Sequence, residues 1–252
     1  MLETRDLTIR FGGHVAVDRV SCAFAPGTLT AIVGPNGAGK TTWFNLISGQ
    51  LRASAGSVRL NGRDITNESV SARTHLGIGR AFQLTQLFPN LSVVENVRLA
   101  VQSRRHEGLN LFAVWLDREE TLARAHALVE QVRLGSRADA AASSLPHGDQ
   151  RKLEVAMLMA LEPSVYMFDE PTAGMSTADV PVILDLIRAL KSDAGKTILL
   201  VEHKMDVVRE LADRIVVLHN GQLVADGEPE AVIASPIVQS AYLGLAPEPV
   251  AA

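Results

Sequence analysis

The chain has 252 residues, 47% of them hydrophobic, and 24 Lys and Arg against 28 Asp and Glu give a formal net charge of −4. That length supports one large domain or two small ones with a full core. The acidic balance argues against a general nucleic-acid binder, which carries a basic surface. The lone cysteine, Cys22, lies in an apolar strand-like run and reads as a small core residue rather than half of a disulfide. The start, Met1 to Asp6, is charged and has no apolar stretch of the kind a signal peptide needs. No run reaches the ~18 uncharged apolar residues of a membrane-spanning helix, since the richest stretch, Val155 to Phe168, is broken by Glu162 and Pro163. The expectation is a soluble protein of a reducing compartment, with other chains spanning any membrane it serves.

In chain order, Leu7 to Phe11, Val15 to Val17 and Val20 to Phe24 read as short strands separated by the turn signals Gly12-Gly13 and Pro26-Gly27. Leu29 to Val33 is an apolar, β-branched strand leading into Gly34-Pro35-Asn36-Gly37-Ala38-Gly39-Lys40-Thr41-Thr42. This stretch matches G-x-x-x-x-G-K-[ST] in its strand–loop–helix context, because Trp43 to Ser48 reads as the start of a helix. The glycines let successive N–H groups point into one phosphate-sized concavity, and the helix N-terminus adds its own donors. Lys40 can bridge β- and γ-phosphates and the Thr41 hydroxyl can ligate Mg²⁺, so the loop is read as a nucleoside triphosphate site.

Gly56 to Ile65 reads as a strand or hairpin turning at Asn61-Gly62. The region from about 84 to 160 is mostly helical by period, with helices over Val93 to Val101 and Asp117 to Val132. Ser164 to Phe168 again reads as a buried strand, followed by Asp169-Glu170, and Thr197 to Val201 is another, followed by Glu202-His203. The amphipathic stretch Val180 to Lys191 makes these a strand–helix–strand unit. A hairpin turning at Asn220-Gly221 comes next, and 246–252 reads as a disordered tail.

An acidic pair after a strand is often a solvated loop, but past a phosphate loop it suits Mg²⁺ binding by Asp169 and activation of water by Glu170. A lone histidine is usually a surface residue. His203 gains weight because parallel strands present their carboxyl ends on one edge. Gln83, in a loop, means little by itself. Phe11 suits either base stacking or core packing.

Taken together, the glycine loop, Gln83, Leu145-Pro146-His147-Gly148-Asp149-Gln150, Asp169-Glu170 and His203 come in the order and spacing of ABC transporter ATP-binding subunits. The chain resembles that family from about Leu2 to Gly244. The resemblance implies an α/β P-loop ABC ATPase fold: a parallel core sheet, an antiparallel β subdomain and a helical subdomain at about 84–160, all within one domain at 1–245. It implies that Phe11 stacks on adenine and that Gln83 touches Mg²⁺ or the lytic water, with Thr41 and Asp169 as the other metal-site residues. Glu170 is then the general base and His203 the histidine that contacts the γ-phosphate. Ala173 to Ser176 falls where the family's dimer-contacting loop lies, and residues 145–150 form the signature that serves the partner's ATP.

Three segments look like the branched-chain amino acid uptake subgroup: Glu170 to Met175, Val201 to Met205, and Ala241 to Gly244. The implied protein is a peripheral ATPase on the cytoplasmic face of the plasma membrane, using ATP and Mg²⁺ and working with integral membrane permease subunits. A solute-binding protein acts indirectly, and no nucleic acid is involved. Related urea or amide importers and lipopolysaccharide exporters are the alternative, with non-transport ABC ATPases behind them. One departure stands out. The family signature reads Leu-Ser-Gly-Gly-Gln, and here Pro146 replaces the serine, removing a hydroxyl and a backbone donor. Proline is tolerated at a helix start, so a helix from about Asp149 to Leu161 is still expected. The substitution suggests a heterodimer with one weaker ATP site; a homodimer with two working sites is the alternative.

Overall fold

The computed structural model describes residues 1–81, 87–104, 118–236, 238 and 239. These fall into two compact units: residues 1–78, 165–169 and 191 onward, and residues 79–164 with 170–190.

The first unit holds an antiparallel sheet and most of a mainly parallel one. Strands β1 (Leu2–Phe11), β2 (His14–Phe24), β4 (Ala55–Leu60) and β5 (Arg63–Asp64) form the antiparallel sheet in the order β2-β1-β4-β5. The β1–β2 hairpin runs from Leu2 opposite Phe24 to Phe11 opposite His14 across Gly12-Gly13, and Asn61-Gly62 turns β4 into β5. Val20, Cys22 and Phe24 alternate inward while Ser21 and Ala23 face solvent, the period-two pattern of a half-buried strand.

The second sheet has the order β10-β9-β3-β8-β7-β6, with β3 at Leu29–Val33, β6 at Ile78–Ala81, β7 at Val165–Asp169, β8 at Thr197–Val201, β9 at Arg214–His219 and β10 at Gln222–Gly227. β3 pairs in parallel with both β8 and β9, β7 pairs in parallel with β8, and β10 closes the edge antiparallel to β9. Every residue of β3 and β8 is buried, which is why both read as unbroken apolar runs. Alternate residues still serve different cores. Ile32, Val216 and Leu218 pack with Trp43, Phe44, Phe24 and Leu7, whereas Ala31, Val33, Ile215 and Val217 pack with Val208 and Val232.

Helix α1 (Lys40–Ser48) lies in the first of these cores, with the Trp43 and Phe24 rings 5.7 Å apart. Its C-terminal carbonyls are met by a buried cation from the short helix α2 (Val70–His75). Arg73, 2% exposed, donates from Nη1 to Leu46 O (2.7 Å) and Ile47 O (2.6 Å), from Nη2 to Thr66 O (2.7 Å) and from Nε to Glu68 O (3.2 Å). Burial pulls this guanidinium below its ordinary pKa, so the four carbonyls and the macrodipole of α1 are what hold it in place.

The second unit is built on α3 (Val93–Arg104), α4 (Arg118–Gln131) and α5 (His147–Ala160), whose buried faces include Val97, Val101, Ala125, Leu128, Val129, Leu153 and Ala156. Fully buried Asn96 accepts from Phe88 N–H (2.8 Å) and donates to Ser92 O (2.9 Å), fixing the chain's entry into α3. Helix α6 (Val180–Lys191) keeps the bounds expected from its period; α5 begins two residues earlier than expected, immediately after Pro146. The short helices α7 (Met205–Leu211) and α8 (Pro229–Ile233) belong to the first unit. No helix among the described residues is long and apolar enough to cross a membrane. The expected tail at 246–252 lies outside the described residues.

Replacing Arg73 with Met removes a donor from the buried carbonyls of Leu46 and Ile47 and from the half-buried ones of Thr66 and Glu68. The expected cost is about 2–4 kcal/mol, read as a lower thermal midpoint, with Arg73→Lys intermediate. An unchanged midpoint for Arg73→Met would remove the guanidinium from this anchoring role.

Candidate functional site

The glycine loop leaves β3 at Gly34 and enters α1 at Lys40 under tight steric constraint. Gly34 has φ 149°, and a Cβ there would lie 2.1 Å from Leu218 O; Gly39 has φ 97°, and its Cβ would lie 2.5 Å from Ala16 O. Only glycine fits either place. Gly39 caps α1 without a side-chain hydrogen bond, and the helix begins with an exposed Thr41 beside exposed Asn36 and Gly37. The buried Lys40 donates from Nζ to Gly34 O (2.6 Å) and Pro35 O (2.9 Å), which keeps its ammonium over the loop. A concave backbone, a helix N-terminus and a held cation form a donor set suited to a polyphosphate and hostile to a cation alone.

The parallel register sets the neighbours of this loop. Ile32 of β3 is level with Val201 of β8, and Val201 is level with Asp169 of β7. Gly34, Asp169 and the turn at His203 therefore leave the same carboxyl edge of the sheet. Glu202, 1% exposed, stiffens that turn: its Oε2 accepts from His203 N–H (2.8 Å) and Lys204 N–H (3.2 Å) and lies 3.5 Å from His203 Nδ1. The His203 side chain is 53% exposed, so the buried carboxylate fixes the backbone while the ring faces outward. Sequence reasoning passed over Glu202; an acidic residue directly after four apolar strand residues was the available signal.

Phe11 ends β1 and is 50% exposed, so its ring is not enclosed in the core. Gln83 lies outside the described residues. Glu170 is the first residue of the second unit's returning segment, half-buried, with φ 50°. A left-handed backbone is uncommon at a non-glycine residue, and among the described residues Asp6, Arg19, Asn61, Arg133, Glu162 and Asn220 share it.

In the second unit, Pro146 is the N-cap of α5, with φ −56° and ψ 155° and no side-chain cap. Pro146 and His147 are exposed, Gly148, Asp149 and Gln150 are half-buried, and Leu145 is buried beneath them. Gln150 Nε2 donates to Leu145 O (3.0 Å) and Gln150 N–H to Pro146 O (3.0 Å), so the turn is closed from within. Among the described residues no three His, Cys, Asp or Glu cluster to hold a metal.

The family model described as ABC transporter matches residues 17–173. The chain is 38% identical over 252 residues to the high-affinity branched-chain amino acid transport ATP-binding protein BraF of Pseudomonas aeruginosa, covering 97% of this chain and 98% of that protein. It is 36% identical over 251 residues to the corresponding LivG protein of Escherichia coli K12, covering 97% and 98%. A crystal structure of a nucleotide-free ATP-binding cassette from an ABC transporter superposes with a TM-score of 0.81 at 30% identity, covering 97% of this chain and 99% of that one.

Gly39→Ala combines a backbone conformation unfavourable to alanine with contact on the Ala16 carbonyl. Binding of a fluorescent ATP analogue should weaken by roughly tenfold or more; wild-type affinity would contradict the tight-loop account.

Proposed function

Because this chain belongs to the ABC transporter family of ATP-binding proteins, we propose that it is the ATPase subunit of an importer for branched-chain or other small amino acids. The observation that carries the chemistry is the single sheet edge from which the glycine loop, Asp169 and His203 all emerge. The cargo class rests on the transport activity named for BraF and LivG, which are matched along nearly their whole length.

In this reading Phe11 stacks on adenine, and the N–H groups of residues 34–42 with the Lys40 ammonium bind the phosphates. Thr41, Asp169 and Gln83 would hold Mg²⁺, which, when bound, neutralises phosphate charge. Glu170 takes a proton from the water that attacks the γ-phosphorus, the bond to the β-phosphate oxygen breaks, and ADP and phosphate leave. His203 orients and stabilises the transferring phosphoryl group. The protein's contribution is positioning and charge compensation, as in other phosphoryl-transfer sites.

The second unit suits a membrane partner. Arg80, Phe88, Leu99, Met157, Leu158 and Leu161 line a mostly apolar groove of about 330 Å³, and Phe88 is 50% exposed beside it. A permease segment entering this groove would transmit opening and closing of the ATPase pair, provided that ATP favours one state of the pair over the other. The second chain of that pair receives this chain's signature. Pro146 cannot supply the hydroxyl or the N–H of the usual serine, so the partner's ATP is held more weakly than the ATP bound here, in a heterodimer with unequal sites.

Glu170→Gln should lower ATP turnover by about 10²-fold or more and accumulate an ATP-bound dimer on size exclusion. Hydrolysis at the wild-type rate would remove Glu170 from the role of base. Pro146→Ser in the assembled complex should raise ATP turnover, and unchanged or lower turnover would count against unequal sites.

A further inference from the structure

The signature turn and the loop after Glu170 are joined inside the second unit by one buried lysine. Lys152, in the second turn of α5, is 6% exposed. Its Nζ donates to Asp149 Oδ1 in the preceding turn (3.0 Å) and to Asp179 Oδ1 from the loop before α6. Asp179 also accepts from Ser176 Oγ (2.6 Å), and Asp149 Oδ2 lies 3.5 Å from Arg137 Nη1. Two cations thus face two carboxylates, which is the condition for burying an ammonium at all. The hydrogen bonds from Lys152, and then from Ser176, hold the Asp179 carboxyl below its ordinary range, so this partner stays ionised.

Packing tightens the same junction. A Cβ on Gly174 would lie 3.2 Å from the His147 ring, and a Cβ on Gly148 would lie 3.2 Å from Asp179 Oδ2. Backbone hydrogen bonds brace the loop between Glu170 and this contact. Ala173 N–H donates to Glu170 O (3.0 Å), Asp179 N–H and Val180 N–H both donate to Ser176 O (3.0 and 3.2 Å), and Thr172 is 1% exposed. Hydrogen bonds thus run from Asp149 through Lys152 to Asp179, and two turns closed by backbone hydrogen bonds lie between Asp179 and Glu170.

We propose that Lys152 is a positioning residue that makes the signature turn and the Glu170 loop one mechanical piece. The engagement of the partner's ATP by this chain's signature then sets the geometry of Glu170 in this chain's own site. The inference rests on the roles proposed above for Glu170 and for residues 145–150, and it adds the physical link between them. Its consequence is cooperativity between the two ATP sites.

The test is ATP hydrolysis by the assembled complex over a range of ATP concentrations. The wild-type complex should give a Hill coefficient above 1, and Lys152→Met should bring it to about 1. Turnover should fall roughly 10- to 100-fold through misplacement of Glu170, while affinity of the isolated chain for an ATP analogue stays unchanged. Lys152→Arg should recover most of both quantities, because it restores a charged donor. Should Lys152→Met fail to fold, Asp179→Ala removes the acceptor of the same link and should show the same loss of cooperativity. Wild-type turnover and Hill coefficient in a folded variant would overturn the proposal. So would a loss of nucleotide affinity matching the loss of turnover, which marks a merely structural lysine. Glu170→Gln measured alongside separates the levels: if it hydrolyses normally, the underlying role of Glu170 falls and the link with it. If Glu170→Gln is inactive while Lys152→Met is normal, the link alone is wrong.

Discussion

The pairing of β3 between β8 and β9 is the constraint on which the rest of the molecule depends. All five residues of β3 are buried, and so are all five of β8. A slip of one residue would turn Ile32 out of the core around Trp43 and put Ala31 in its place. Register is therefore held by both cores at once, and it places Gly34, Asp169 and the His203 turn on one edge. The loop that follows has no steric freedom at Gly34 or Gly39, and Arg73 secures the far end of α1. The phosphate-facing donors are thus positioned by burial of apolar surface beneath them, and catalysis by positioning becomes possible on such a base.

What could be seen in the sequence was local. The glycine loop, the strands Leu29–Val33, Val165–Asp169 and Thr197–Val201, and the helix Val180–Lys191 each carry their pattern within one short window. The Asn61-Gly62 and Asn220-Gly221 turns carry their own chemistry, with positive φ at both residues of each. What escaped depends on partners far along the chain. Arg73 gains its meaning from carbonyls 26 and 27 residues earlier, and Lys152 from an aspartate 27 residues later. No periodicity marks such pairs. Glu202 escaped for another reason: a carboxylate beside a histidine looks like surface chemistry until burial shows it accepting from its neighbours' backbone.

Pro146 shows how a departure from a motif can be accommodated. The proline supplies no cap, yet α5 begins directly after it, because φ near −60° suits a helix entrance and the missing N–H would have had no helical partner. Gln150 closes the turn from inside, and Lys152 with Asp149 anchors it. The turn is thereby closed and anchored although the proline contributes no N–H or hydroxyl. On the proposed reading, the partner's nucleotide would meet a closed turn that lacks the donors of the usual serine.

The central claim is that this ATPase drives transport through separate membrane subunits. Its most direct measurement is affinity purification of the chain from its own membranes, with mass spectrometry of the proteins retained. Integral membrane permease subunits together with a second ATP-binding chain are the predicted result. Recovery with ribosomes or DNA-repair factors, or with no membrane protein at all, would contradict it.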